Sequence, residues 1–203
     1  MNKNLPRKIS PLSGKVIMPT ANAISDKEKL LNILKKEAFF REKITLSSGK
    51  QSDYYIDARR VTLSAEGAYL CAKIILDVVK NDSYEAIGGP TLGADPLVGA
   101  IAVLTHQAHK PTKTFIIRKA PKAHGKQQQI EGPLLSDGAK VILIDDVATT
   151  GKAFLESLVV LKKNNIKALK AVCIVDRNEG AKEALARQGC ELVSIFKVEE
   201  FLK

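Results

Sequence analysis

An α/β fold, a doubly wound and mainly parallel sheet flanked by helices, follows from three observations. Strand-like and helix-like stretches alternate from Ala86 to Phe196. The run Val141-Ile-Leu-Ile144 is apolar at four consecutive positions, as expected of a strand buried on both faces. Acids, hydroxyls, glycines and cations gather just after the strand patterns, at the carboxyl ends where open α/β sheets bind ligands, with an early hairpin as the exception.

At 203 residues the chain fits one domain with a small subdomain and can bury a sizeable core. An apolar share of 45% with 27% charged residues is that of an ordinary globular protein. The net charge of +10 favours anionic partners, nucleic acid or phosphorylated small molecules. Only 5% of residues are aromatic, which is thin for the stacking platforms of single-strand binders, and no nucleic-acid partner is expected. Cys71, Cys173 and Cys190 are odd in number and lack Cys-x-x-Cys spacing, so neither a disulfide framework nor a zinc site is indicated, and a reducing cytoplasm fits. Leu97 to Leu104, the longest apolar run, is far short of a membrane span, and the first residues lack the apolar core of a secretion signal.

Residues 1–24 mix Lys3, Arg7, Lys8 and Lys15 with Pro6, Pro11 and Pro19 and show no periodicity, which predicts a peripheral arm ahead of a single domain over 25–203. Ser25 and Glu28 have capping-box spacing, and Leu30, Leu31, Leu34 and Ala38 form the apolar stripe of a first helix. Ile44 to Asp57 reads as two short strands around a glycine turn. Together, residues 25–57 are expected to form a small cap over the cleft. Ser64 caps a helix whose positions Leu70, Ile74, Ile75 and Val78 face the core, with Cys71 beside them. Ala86 leads a strand into a glycine-rich turn, where Gly88, Gly89 and Gly93 permit positive φ or close approach, and Asp95-Pro96 begins a helix running to about Ala108. A structural turn and a binding turn explain this stretch equally well.

Thr114 to Ile117 is a strand that delivers Arg118-Lys-Ala-Pro-Lys-Ala-His-Gly-Lys126. Its cations, interrupted by Pro121 and Gly125, suit neither a helix nor a core strand, so it is an exposed loop, for which a solvated basic surface is the default. After the central strand at Val141 and its helix come a strand over Ala171 to Val175, the segment Asp176-Arg-Asn-Glu-Gly180, a helix over 181–187 and a last strand from Glu191 to Phe196. Arg177 can simply pair with Asp176 on the surface.

The stretch around which these elements are organised is Val141 to Ala153. Asp145 and Asp146 stand where the buried strand is expected to end, and an unpaired carboxylate is too costly to bury, so both are expected to face a cleft. Val147, Ala148, Thr149, Thr150, Gly151 and Lys152 then supply small residues, hydroxyls and a bend ahead of the pattern Ala153, Leu155, Leu158, Val159. A turn of this composition at a helix N-terminus offers amide hydrogens and the positive end of the dipole to a phosphate. Carboxylates beside it accept hydrogen bonds from sugar hydroxyls. A Walker P-loop is excluded because Gly151-Lys152 lacks the upstream glycine and is followed by Ala153, and a dinucleotide fingerprint fails for want of its glycines. The bland alternative is a strand, a turn and a capped helix.

Four apolar residues, two acids, two spacers and Thr-Thr-Gly resemble the phosphoribosyl pyrophosphate (PRPP) motif of the type I phosphoribosyltransferases. Three further segments resemble the orotate branch of that family. They are Thr45-Leu-Ser-Ser-Gly49 with Ser52-Asp-Tyr-Tyr-Ile-Asp57, the loop carrying Arg118, Lys119, Lys122 and His124, and Asp176-Arg-Asn-Glu-Gly180. The resemblance implies that the turn after the strand led by Ala86 is the counterpart of the family's pyrophosphate-binding loop. Two spots depart from the pattern, since Ser47 and Leu92-Gly93 stand where many members carry lysine. The resemblance spans roughly Leu30 to Phe196. It implies a type I phosphoribosyltransferase fold with an N-terminal hood, and the reaction of orotate with PRPP to give orotidine 5′-monophosphate and pyrophosphate, a step of pyrimidine synthesis in the cytoplasm.

It also implies roles. Asp145 and Asp146 hold the ribose hydroxyls, and Val147 to Lys152 surround the 5-phosphate. Arg118, Lys119, Lys122 and His124 close over the pyrophosphate together with Mg2+ carried on its oxygens, with His124 either protonating the leaving oxygen or hydrogen-bonding as a neutral ring. Arg177, with Thr149, binds orotate. In the family a loop like 118–126 reaches into the neighbouring subunit's site, which implies a homodimer. Two other readings remain: a phosphoribosyltransferase for a purine or uracil, against which the cationic His loop and Asp176-Arg177 stand, and a nucleic-acid-binding regulator that keeps the pocket as a PRPP sensor, supported by the charge of +10.

Overall fold

The computed structural model describes residues 24–45, 51–120 and 128–203. The first helix, α1 (Asp26–Glu37), starts where the capping box requires: Ser25 Oγ accepts from the Glu28 amide at 3.2 Å and Glu28 Oε2 accepts from the Ser25 amide at 2.8 Å. Leu30, Leu34 and Ala38, on one stripe, are fully buried. Four short strands follow, β1 (Phe39–Phe40), β2 (Ile44–Thr45), β3 (Gln51–Ser52) and β4 (Tyr55–Ile56). The sequence suggests one hairpin over 44–57, but only β2 and β3 pair that way, while β4 pairs antiparallel with β1. Aromatic packing accounts for the exchange: Phe39 stacks on Tyr54 with ring centroids 5.9 Å apart, and Phe40 on Tyr55 at 6.4 Å.

A single turn, α2 (Arg59–Thr62), leads to α3 (Ala65–Val78), whose cap Ser64 accepts from the Gly67 amide at 3.1 Å. Cys71 is fully buried, and burial pushes its thiol up to about 12, so it packs as a small hydrophobe. The alternation then runs β5 (Ala86–Pro90), α4 (Asp95–Gln107), β6 (Lys113–Ile117), β7 (Ile130–Glu131), β8 (Lys140–Ala148), α5 (Lys152–Lys163), β9 (Lys167–Asp176), α6 (Ala181–Ala186), β10 (Glu191–Lys197) and α7 (Glu199–Leu202).

The main sheet has the order β10-β9-β8-β5-β6-β7 and is parallel except for β7, which runs back against β6. Both faces are covered, as the continuous apolar strands require. Along β8, Ile142 and Ile144 join the cluster formed by α1, α3 and α4, whereas Val141 and Leu143 join that of α5 and α6. Each such fully buried side chain contributes roughly 1.5–3 kcal/mol, so the central strand anchors both halves of the core.

From β5 the chain moves outward to β6, and from β8 it moves the other way to β9, which makes the β5–β8 border the point where winding reverses. Pairing between them covers Ala86–Gly88 with Val141–Leu143, after which β8 continues to Ala148 against β9 alone. A crevice opens over this stretch.

Candidate active site

Asp145 and Asp146 do not follow the strand, as the apolar pattern suggests, but belong to it. Asp145 pairs with Cys173, and Ala148 pairs with Asp176 in the ladder with β9. The parallel ladder carries the strand past its apolar part, and the missing β5 partner leaves room for the carboxylates beside the β5–α4 turn. Asp145 is 7% exposed, and its Oδ1 accepts from the Asp146 amide at 2.9 Å, while Asp146 Oδ1 accepts from the Val147 amide at 2.7 Å. Burial holds the Asp145 carboxyl well above the usual carboxylate range, and the charge of Asp146 adds to the shift. Burial raises Asp146 as well, with the Val147 amide and the charge of Arg59 among the influences pulling it back. The pair is thus poised for hydroxyl donors or a cation to stabilise its charged form.

Gly88 and Gly89 lie within β5 rather than in the turn expected there, and with Gly93 of the β5–α4 turn they act through close approach rather than positive φ, since none of the three is among the positive-φ glycines. A Cβ on Gly89 would meet the Ile144 carbonyl, and one on Gly93 would meet the carboxylates of both Asp145 and Asp146. Thr91 Oγ1 donates to Asp95 Oδ2 at 2.8 Å, tying the turn to the start of α4, and the Thr91–Leu92 peptide is cis.

Gly151 caps α5 in the left-handed region at φ 80°, so the bend expected there forms where a side chain is least welcome. The first intrahelical bond at this end runs from the Leu155 amide to the Gly151 carbonyl, at 2.9 Å. The first turn of α5 carries no acidic residue, leaving the positive end of the dipole free of a covalent counter-charge. Asp145 and residues 147–154 bound a cavity of about 360 Å3 at this helix end.

A second cavity, of about 380 Å3, shares Val147 and Thr149 with the first. Asp146, Gly93, Lys119 and Arg177 line it together with Ile44, Tyr55 and Arg59. Arg177 is 6% exposed, its guanidinium lies 4.8 Å from the Tyr54 ring centroid, and Nη2 donates to Ser52 Oγ at 3.3 Å. Its ion-pair partner is Glu179, at 3.0 Å from Nε, and not the neighbouring Asp176, whose Oδ1 instead accepts from the Asn178 amide at 2.8 Å. Nε itself makes no directed hydrogen bond, so charge rather than geometry holds that contact.

Of the cationic loop, Lys119 reaches the second cavity, whereas Arg118 pairs with Glu131 at 3.4 Å and borders a separate hollow against α5. The Arg118 amide donates to the Gln129 carbonyl at 2.8 Å, so the segment leaves and rejoins the sheet edge at one point. Lys122 and His124 lie outside the described residues, as does Ser47. Leu92 is exposed at the rim of the second cavity.

Sequence reasoning missed Arg59. Its Nε sits 3.1 Å from Asp57 Oδ1, and its charge acts on Asp146. The Asp-x-Arg spacing directly after the Tyr-Tyr strand was the available signal. Among the described residues no group of three or more His, Cys, Asp or Glu side chains could hold a metal.

Residues 63–199 match the phosphoribosyl transferase domain family. The chain is 39% identical over 180 residues to the orotate phosphoribosyltransferase of Aquifex aeolicus, covering 87% of this chain and 98% of that one. It is 40% identical over 174 residues to the enzyme of that name from Thermosynechococcus vestitus, covering 86% and 92%. Among solved structures it is similar to the Mycobacterium tuberculosis orotate phosphoribosyltransferase in complex with PRPP, with a TM-score of 0.74, 28% identity and coverage of 88% and 100%. The Aeropyrum pernix orotate phosphoribosyltransferase also gives a TM-score of 0.74, at 34% identity with coverage of 85% and 96%.

Proposed function

We infer the reaction from one premise: the chain belongs to the phosphoribosyltransferase family. It is an orotate phosphoribosyltransferase, transferring the phosphoribosyl group of PRPP to orotate with release of pyrophosphate in pyrimidine synthesis. The observation that carries this reading is the pair of joined cavities, with a helix-capping loop at one end, a buried arginine at the other and two carboxylates between them.

The chemistry assigns the parts. A ring nitrogen of orotate forms the new bond to ribose C1 as the bond to pyrophosphate breaks; the pyrophosphate leaves with the electron pair, and the proton that the nitrogen carried is released to solvent or to the pyrophosphate. Positive charge develops on the sugar and negative charge on the leaving group, and the protein must stabilise both. Asp145 and Asp146 hold the ribose hydroxyls beside the developing cation. The amides and hydroxyls from Val147 to Lys152 hold the 5-phosphate at the start of α5. Arg177, with Thr149 beside it, takes the carboxylate or carbonyl edge of orotate, for which a guanidinium fork is apt. Lys119 with Arg118, Lys122 and His124 neutralises the pyrophosphate and excludes water, which competes with the base as nucleophile.

The donor set fits Mg2+ carried on the substrate, because that ion keeps waters and uses few carboxylates together with phosphate oxygens. When bound it would neutralise charge on the pyrophosphate. Residues 25–57 serve as the cap over the cleft, the assembly is a homodimer with loop 118–126 shared between subunits, and the setting is cytoplasmic. No helix of the described residues is long and apolar enough to cross a membrane.

The test is loss of orotate absorbance in the presence of PRPP and Mg2+, run beside adenine, hypoxanthine and uracil. Consumption of orotate alone is the expected result. Turnover of another base would reassign the substrate, and tight PRPP binding without turnover would point to a sensor.

A further inference from the structure

The buried arginine of the second cavity is gripped from outside the site by the C-terminal helix, along two independent routes. The first is a run of rings. The Arg177 guanidinium lies on Tyr54, Tyr54 stacks on Phe39, Phe39 meets Phe201 of α7 at 5.8 Å between centroids, and Phe201 meets Phe196 edge-on at 6.3 Å. Phe201 is 3% exposed and Phe196 1%, so the far end of the run is fixed in the core. The second route is polar. The Val198 amide donates to the Asp176 carbonyl at 2.9 Å, and Asn178 Nδ2 donates to Glu199 Oε1 at 2.9 Å. These bonds fasten α7 to the residues on either side of Arg177.

Asn178 gives the second route its leverage, since it adopts φ 57°, a conformation uncommon for a residue with a Cβ. The turn after β9 is held by a local contact, Asp176 Oδ1 accepting from the Asn178 amide at 2.8 Å, and by contacts beyond its own sequence. Glu199 supplies one of them, and its carboxyl is held below the usual carboxylate range by its own backbone amide and by Asn178. An arginine has several rotatable bonds, so aiming one fork requires that neighbours remove its freedom.

We propose that α7 is a positioning element for base recognition, with Phe201 and Glu199 holding Arg177 in the orientation that meets the base edge. Neither residue touches the substrate. The proposal rests on the orotate reading above and adds that discrimination of the base is set partly from a helix outside the pocket, while the PRPP half of the site, built on β8 and α5, is independent of it.

The experiment uses the full chain carrying Glu199→Ala, Phe201→Ala or Phe201→Leu. Glu199 is exposed, so its variant keeps the fold if the phenylalanine truncation does not. In Glu199→Ala and Phe201→Ala, KM for orotate is expected to rise about tenfold, the scale of one lost charge-assisted hydrogen bond, with KM for PRPP held within about twofold. Phe201→Leu keeps most of the volume and should restore most of the orotate KM. A second readout needs no substrate. With the guanidinium 4.8 Å from the Tyr54 ring centroid, the Arg177 Nε–Hε resonance of the parent is expected to be ring-current shifted, and it should move toward the free-arginine position in Glu199→Ala and Phe201→Ala. Parallel rises in both KM values, or an Arg177 resonance that stays in place in both variants, would overturn the proposal. A parent chain that consumes no orotate overturns the substrate reading instead, and the resonance then decides separately whether α7 aims Arg177.

Discussion

At Asp145 the fold keeps a carboxylate where water scarcely reaches it, with a second carboxylate as its neighbour in the chain. Its pKa in the fold lies above the ordinary 3.8, so there is a pH window in which the folded chain holds a proton that the unfolded chain has released. The contribution to stability is therefore complete below the unfolded value and lost as pH rises through the folded one. Asp145→Asn keeps the shape and the acceptor for the Asp146 amide while removing the charge. Urea unfolding of the ligand-free protein should show the variant to be more stable than the parent at neutral pH, with the gain disappearing in acid. Calorimetric titration with PRPP should show the opposite sign, with binding weakened by roughly 1.5–3 kcal/mol, as when a hydrogen bond to a charged group is lost. A variant equally stable and equally tight-binding would remove Asp145 from the site. If the two opposite signs are found, the buried pair is a cost in stability carried for the ligand.

At the scale of elements, β8, the β5–α4 turn and α5 divide the labour, and two glycines separate what is structural from what is functional. Gly89→Ala would drive a methyl group into the Ile144 carbonyl, backbone that cannot swing aside, and should destabilise the fold by about 1–3 kcal/mol. Gly93→Ala would instead push against the carboxylates of Asp145 and Asp146, and should leave the melting temperature near the parent's while PRPP binding is lost. Thermal unfolding and PRPP titration on both variants check the contrast; equal damage to stability in both would sink it. This division also shows how far the sequence could be read. The four apolar residues of β8 marked a strand buried on both faces, and Gly151 marked the bend before α5, because burial and positive φ leave local signatures. That the strand would carry its two acids as far as Ala148 was not legible, since the ladder with β9 decides it. The pairing of β4 with β1 was hidden for the same reason: strands of two residues carry no period, and rings from distant stretches select the partner. Arg59 went unread because its significance comes from lining one cavity with Asp146 and acting on its charge, not from its neighbours in the chain.

For the whole molecule, the excess of cations and the closure of the site are one question. The net charge of +10 suits a substrate rich in phosphate, but the described walls of the second cavity combine Lys119, Arg59 and Arg177 with Asp57 and Asp146, a near balance. The pyrophosphate therefore needs cations from elsewhere, and Lys122 and His124 are the residues proposed to bring them. If loop 118–126 serves the neighbouring subunit, as proposed, Lys122 and Asp146 of one chain work in different sites. Two inactive variants, Lys122→Ala and Asp146→Asn, would then repair one another on mixing and subunit exchange. Each heterodimer would contain one site with neither defect and one with both, so an equal mixture should recover about one quarter of the parental activity, half of the dimers being mixed and half of their sites intact. Orotate consumption before and after exchange measures it. If the loop closed over its own chain's site, every site would keep one defect and mixing would restore nothing, which would leave the cationic loop in the mechanism but remove the second subunit from it.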